Sequence, residues 1–120
     1  VVSPVTGSSG GNTVNSIQLQ GPTHAWPNNP ALLTWSNAPG LSPWYLLTSA
    51  SSAGSTQYGH EFDLADPITI QLQGTNDATG SQSLYVTPSS ALSGMVFFVE
   101  VAAVSSGEIY DSNVIQVTIM

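Results

Sequence analysis

The chain has 120 residues, which suits a single domain with one moderate hydrophobic core. Hydrophobic residues make up 41% of it, so it is too apolar for the disordered class. It has no Lys and no Arg against seven acids, a formal net charge of -7. Nucleic acid is therefore excluded as a partner, because phosphate binding draws on Lys and Arg.

The absence of cysteine excludes disulfides, thiolate metal sites and cysteine nucleophiles. No membrane span is predicted, since no stretch approaches the roughly 20 apolar residues that one requires. The chain begins at Val1 rather than at Met, which we interpret as a mature, secreted chain after removal of a signal peptide.

Residues 1–15 are predicted to form a flexible leader, because residues 3–13 are rich in Gly and Ser and hold little to bury. Residues 16–120 are predicted to form one domain. Within it, short β-rich runs recur between turn signals, and no run has a helical period. In chain order, strands are predicted at residues 16–20, 31–36, 44–48, 56–62, 67–73, 82–86, 95–104 and 113–119. Turns are predicted at residues 74–80 and 105–108.

Seven or eight short antiparallel strands predict an all-β fold, a two-sheet immunoglobulin-like Greek-key β-sandwich, with a small barrel as the alternative. Residues 95–104 are expected to form a central strand with apolar side chains on both faces. The predicted core consists of Leu33, Trp35, Leu46, Val86, Val96, Phe98, Val101, Ile115 and Val117.

Several short motifs recur in a known family: Leu33-Thr34-Trp35-Ser36, Pro43-Trp44-Tyr45-Leu46, Leu84-Tyr85-Val86-Thr87-Pro88, Gly94 before the long Val/Phe strand, and Asp111-Ser112-Asn113. Over roughly residues 16–119, the chain resembles the immunoglobulin-like domain of fungal secreted and cell-wall Ser/Thr-rich proteins, which are often GPI-anchored. The resemblance implies an extracellular or cell-wall location, a wall-associated or adhesive role, and no catalytic residues. The chain differs from that pattern in lacking Lys, Arg and a Ser/Thr-rich C-terminal stalk.

Residues 60–66 form the one segment in which a histidine and several acidic residues lie close together. Glu61, Asp63 and Asp66 could present oxygens to a hard cation such as calcium. Their spacing matches no EF-hand loop, and the alternative interpretation is a solvated strand and turn that aids solubility. No other cofactor is predicted.

No enzyme active site is predicted. The seven acids are scattered, and a domain of this size rarely encloses the cleft that a glycosidase pair of carboxylates needs. No Gly-x-Ser-x-Gly motif supports a Ser-His-Asp arrangement.

Aromatic residues near prolines are the stronger functional signal. Trp26 lies in a Pro-bracketed loop with His24 and Asn28, and Trp44 and Tyr45 follow a second Pro-rich loop. Sugar rings pack their C–H faces on aromatic planes, so these five residues are the predicted ligand site and a neutral cell-wall polysaccharide the predicted partner. In the alternative interpretation Trp44 belongs to the core and Trp26 folds back over one end of the sandwich.

Self-assembly is the second predicted function. Sheets commonly guard their edge strands with Lys, and this chain has none. A leader with Val1, Val2 and Val5, followed by Val14 and Ile17, could add as a strand to a neighbouring copy. Loss of carboxylate charge near pH 4 would favour this association.

Overall fold

The computed structural model describes residues 15–57 and 59–120, with side chains for residues 17–56 and 59–120. The predicted leader therefore lies almost entirely outside the described residues. The described strands are β1 (Asn15–Gln20), β2 (His24–Ala25), β3 (Ala31–Ser36), β4 (Pro43–Ser49), β5 (Ser55–Gln57), β6 (His60–Phe62), β7 (Thr69–Thr75), β8 (Gln82–Val86), β9 (Val96–Ser105), β10 (Glu108–Ser112) and β11 (Ile115–Ile119). A short 3-10 helix spans Ser90–Leu92.

The strands form an all-β, immunoglobulin-like sandwich of two layers, which confirms the predicted fold class. In the larger layer, β9 pairs with β4 on one side and with both β10 and β11 on the other. β7 extends this layer beyond β4, and the short β2 extends it beyond β11. In the smaller layer, β3 lies between β1 and β8. The β1–β10 and β2–β11 pairs are parallel, whereas antiparallel strands were predicted throughout.

β1 joins the two layers along one side of the sandwich. Its first residues pair with β10 of the larger layer, and residues 18–20 pair with β3 of the smaller layer. Asn113, in the break between β10 and β11, holds this crossing in place. Its side-chain oxygen accepts from Leu19 N at 2.8 Å, and its amide donates to Leu19 O at 3.0 Å.

The main core lies between the layers, and strand alternation determines which residues fill it. Leu33, Trp35, Leu46, Val101 and Val117 are buried there as predicted. Val86 and Ile115 are partly buried against this core. In β9, Phe97, Val99, Val101 and Ala103 face the main core, whereas Phe98 and Ala102 face a second one. The prediction for Val96 is wrong, because it begins its strand and remains 37% exposed.

A buried polar network fixes the indole of Trp35 at one end of the main core. The ring of Trp35 packs edge-on against Trp44, with centroids 5.0 Å apart. Trp35 Nε1 donates to Asn76 Oδ1 at 2.8 Å, and Asn76 Nδ2 donates to Ser42 Oγ at 3.0 Å. Asn76 is 2% exposed, so these bonds compensate for burying its amide.

The second core lies on the outer face of the larger layer, beneath a covering hairpin formed by β5 and β6. Its buried members are Leu47, Phe62, Leu64 and Ala102. The segment after the hairpin is held down by two hydroxyls: Ser49 Oγ donates to Ala65 O and Ser55 Oγ donates to Leu64 O, both at 2.6 Å. A single strand over residues 56–62 was predicted; the structure instead has two short strands, which pair with each other.

Most other strand predictions are confirmed within one or two residues. β3 and β8 have the predicted bounds, and the predicted turn at residues 105–108 joins β9 to β10. Pro67 does not begin β7, which starts at Thr69. β2 and β10 were not predicted. Within residues 15–57 and 59–120, no helix has the length and apolar character needed to cross a membrane.

Candidate functional site

Trp26 lies in a loop, residues 21–30, that is tied to the body of the domain by backbone hydrogen bonds. Met120 N donates to Ala25 O at 2.7 Å, and Asn28 N donates to Pro88 O at 2.8 Å. Asn29 N closes the turn on Trp26 O at 3.2 Å. Within this fixed loop, which we call the Trp26 loop, the Trp26 side chain remains 56% exposed. The structure thus places a large aromatic side chain at the surface on a constrained backbone.

His24 and Asn28 flank Trp26 along the chain, and both are exposed. His24 Nδ1 lies 3.0 Å from Thr23 Oγ1. Asn28 adopts a left-handed backbone conformation, with φ of 62°, which its short amide side chain tolerates better than most residues. Asn29 completes the turn by donating from its amide to Pro27 O at 3.0 Å. The Trp26 loop therefore carries exposed hydrogen-bonding side chains two residues before and two residues after Trp26.

Trp44 and Tyr45 do not belong to this surface. Trp44 is only 4% exposed, because its β4 position faces the main core and its ring packs against Trp35. The assignment of Trp44 to a ligand platform is therefore wrong. Tyr45 points to the opposite face of β4 and is half-buried against the second core.

Tyr85 is an exposed aromatic residue that sequence analysis did not select. It pairs with Leu32 on the outer face of the smaller layer and is 67% exposed. The same face carries Gln18, Gln20 and Ser83, and one of its grooves has a volume of about 330 Å³. The alternation of residues 82–86 could have identified Tyr85: Leu84 and Val86 face inward, so Tyr85 between them faces outward.

The three acids predicted to bind a cation lie along the covering hairpin and the turn after it. Glu61 and Asp63 are half-buried, and Asp66 is exposed. Among the side chains that the structure describes, no three or more His, Cys, Asp or Glu residues are grouped so as to hold a metal ion. Burial, together with the negative charge of Asp111, raises the pKa of Asp63, although His60 acts in the opposite direction.

An acidic cluster lies where the covering hairpin meets β9 and β10: His60, Glu100 and Asp111 are buried, and Asp63 is half-buried beside them. His60 Nε2 is 3.2 Å from Asp111 Oδ2, and these side chains are 6% and 0% exposed. The His60 ring also packs against Phe62, with centroids 4.6 Å apart. Sequence analysis placed His60 and Asp63 in an acidic run but missed Glu100, which comes from a distant strand.

Glu100 is fully buried on the second-core face of β9. Neither of its carboxyl oxygens has a hydrogen-bond partner of good geometry among the described residues. Burial, followed by the neighbouring Asp111 and Asp63 carboxylates, raises the pKa of Glu100 from 4.5 to about 10. The group is therefore a neutral carboxylic acid at pH 7. The sequence signal was a lone acid inside the apolar run Met95 to Val104.

No protein-family model matches the chain, and no curated protein matches it. Solved structures do match. The superoxide reductase (neelaredoxin) from Ignicoccus hospitalis is similar with a TM-score of 0.59 and 6% identity, over 88% of this chain and 80% of that chain. The sulfur carrier protein SoxY from Chlorobium limicola f. thiosulfatophilum is similar with a TM-score of 0.54 and 13% identity, over 91% of this chain and 83% of that chain. At these identities the likeness concerns the fold alone.

Proposed function

We propose that this chain is a non-enzymatic extracellular or cell-wall surface module that binds neutral polysaccharide at the Trp26 loop. The observation that carries the proposal is the 56% exposure of Trp26 on a loop fixed by backbone hydrogen bonds. An exposed indole offers an apolar plane to the C–H face of a sugar ring. Because the loop backbone is already constrained, binding a sugar there costs little conformational entropy.

Charge supports a neutral ligand over an anionic one. The chain carries seven acids and no Lys or Arg, so an acidic polysaccharide would be repelled and would find no strong cationic partner. The groups beside Trp26, His24 and Asn28, can exchange hydrogen bonds with sugar hydroxyls.

The burial of the acidic cluster supports a binding role over catalysis. Glu100 and Asp111 are 0% exposed and His60 is 5% exposed, so a substrate does not reach them. A general acid or base must come within hydrogen-bond distance of the group that it protonates or deprotonates. We therefore assign this cluster to the packing of the covering hairpin.

Retention on insoluble glucan, chitin and mannan tests the binding proposal. The full chain should be retained on at least one of them, and Trp26→Ala should abolish retention. Leu41→Ala is the matched control, because Leu41 is 69% exposed but lies in a different loop and carries no ring. Tyr85→Ala shows whether the outer sheet face contributes. If the folded chain passes through all three materials unretained, the proposal fails.

A second candidate function, self-assembly by strand addition, is favoured by the edge strand β7. Among the described residues, β7 pairs only with β4, which leaves its other edge open. Its sequence, Thr69–Thr75, contains no charge and no proline, the usual guards against edge pairing. Ile70 and Leu72 are 57% and 40% exposed.

Light scattering of the full chain and of a variant lacking residues 1–14, between pH 3 and pH 7, tests assembly. The full chain should associate more strongly as the pH falls, because protonation removes the repulsion between carboxylates. Removal of residues 1–14 should weaken association if they supply the added strand. A full chain that stays monomeric across this range contradicts the assembly function and leaves the polysaccharide proposal intact.

A further inference from the structure

The two layers of the sandwich differ in width, and this leaves an opening at one side. The smaller layer ends at β8, whereas the larger layer continues past β4 to β7. Leu72 of β7 pairs with Leu46, which faces the main core, so Leu72 also faces inward. It is nevertheless 40% exposed. Its exposure agrees with the strand order, in which no strand of residues 15–57 or 59–120 lies beside β8 on this side.

An apolar cavity of about 400 Å³ lies between the layers at this opening. We call it the inter-sheet cleft. Its walls include Leu33, Leu46, Leu72, Val86 and Phe97. Burial of apolar surface away from water lowers the free energy, and a strand added beside β8 would bury this surface.

The backbone edges beside the cleft are available for pairing. In the described part of the chain, β8 pairs only with β3, just as β7 pairs only with β4. β8 (Gln82–Val86) carries no charged side chain. An added strand would therefore gain main-chain hydrogen bonds from β8 and apolar contacts from the cleft, the two elements of recognition by β-strand addition.

Residues 1–14 include a segment that can occupy this position, and its one proline, Pro4, is tolerated in an added edge strand when its nitrogen faces away from β8. Val1, Val2 and Val5 lie within six uncharged residues, and in an extended strand Val1 and Val5 would share one face. Residues 7–13 are rich in Gly and Ser, which is the composition of a flexible connecting segment. Ile17 does not contribute, because it is 1% exposed in β1 of its own domain.

β1 is at the side of the sandwich opposite the cleft, because β3 and β8 lie between β1 and the open edge. Resting on the assembly function above, we propose that the inter-sheet cleft receives residues 1–6 of a second copy of this chain as a strand beside β8. The strand that follows the donor segment in the sequence, β1, and the acceptor cleft therefore lie on opposite sides of each copy. Such a head-to-tail contact is heterologous and extends into a fibre unless it closes into a ring.

A matched pair of lysine substitutions in β7 tests the cleft. Leu72→Lys places a charge at the mouth of the cleft, whereas Ile70→Lys places it on the opposite face of the same strand, since Ile70 pairs with Leu47 of the second core. Both sites are exposed enough for lysine to stay solvated, and both variants change net charge equally. Measured by light scattering at pH 4, Leu72→Lys should weaken association roughly tenfold or more, and Ile70→Lys much less. Equal effects, or none from Leu72→Lys, overturn the cleft proposal even if assembly itself persists.

Cysteine cross-linking identifies the donor, because the chain has no cysteine of its own. Copies with Val5→Cys, activated as a mixed disulfide with thiopyridine, are mixed at pH 4 with copies with Leu72→Cys, whose thiol displaces the thiopyridine and forms the cross-link while the copies are associated. A cross-linked mixed dimer is expected, with Ile70→Cys copies as the control that gives much less. In a single chain with both Val5→Cys and Leu72→Cys, an intramolecular cross-link within a monomer would show that the segment occupies its own cleft, which overturns the proposal.

Discussion

His60 Nε2 on the covering hairpin lies 3.2 Å from Asp111 Oδ2 on β10, and both side chains are buried. Because the residues are 51 positions apart, this contact ties the hairpin to the larger layer at a specific place. The hairpin in turn covers Leu64, which is 0% exposed. Attachment of the hairpin and burial of the second core are therefore expected to be lost together.

A double-mutant cycle with His60→Ala and Asp111→Ala measures this contact. Each single change removes the hydrogen bond between His60 Nε2 and Asp111 Oδ2, so both should destabilise the domain. The coupling energy from urea unfolding should be about 1.5–3 kcal/mol, the range for hydrogen bonds that involve a charged group. Additive losses, with a coupling near zero, would contradict the contact.

Glu100 should make stability fall as the pH rises. Its pKa is raised from 4.5 to about 10 in the folded state, so between these values the folded chain retains a proton that the unfolded chain releases. The free energy of unfolding should therefore decrease by up to about 1.4 kcal/mol per pH unit. Asp63, whose pKa is also raised, acts in the same direction.

Urea unfolding between pH 5 and pH 8 checks this dependence. Glu100→Gln should flatten the profile and make the domain more stable than the wild type at pH 8, because glutamine needs no proton. Glu108→Gln, at an exposed position of β10, is the control and should keep the wild-type slope. A wild-type stability that rises from pH 5 to pH 8 would contradict the assignment.

Truncation should cost much more unfolding free energy at Trp35 than at Trp26. Trp35 is 3% exposed in the main core, so Trp35→Ala should cost about 3–5 kcal/mol through lost burial and a cavity. Trp26 is 56% exposed, so Trp26→Ala should change the free energy of unfolding by less than about 1 kcal/mol. Thermal or urea unfolding gives both values. Comparable losses at the two positions would show that Trp26 has a packing role instead of a free surface.

Gly80 and Gly107 share a φ of +77°, which makes them a matched pair. A Cβ at Gly107 meets nothing within 4 Å, so Gly107→Ala should cost only the backbone strain, about 1–2 kcal/mol. A Cβ at Gly80 would overlap the Ala38 carbonyl, so Gly80→Ala should cost a further ~1–3 kcal/mol. Equal losses in urea unfolding would contradict the close approach of the two chain segments.

Local patterns were sufficient to predict several elements, because they depend on neighbouring residues. The alternation of Leu33 and Trp35 with polar residues gave the bounds of β3 and its buried face. Residues 67–73 shared that kind of pattern, yet β7 became an edge strand with exposed Ile70 and Leu72. A register shift opposite Leu46 and Leu47 also puts Ile70 and Leu72 on opposite faces of β7, so alternation alone gives neither the face of every side chain nor what covers that face.

The sequence by itself determined the fold class, the inward-facing apolar side chains of individual strands such as β3, and a chain without Lys or Arg, since composition and period-two alternation are local properties. It also placed Trp26 in a proline-framed loop. Only the tertiary structure decided that Trp44 is buried while Trp26 is exposed, that Glu100 lies near Asp111 and Asp63, and that an open cleft lies between β7 and β8. Each of these depends on contacts between residues far apart in the chain, which strand pairing and layer packing bring together and which no local pattern encodes.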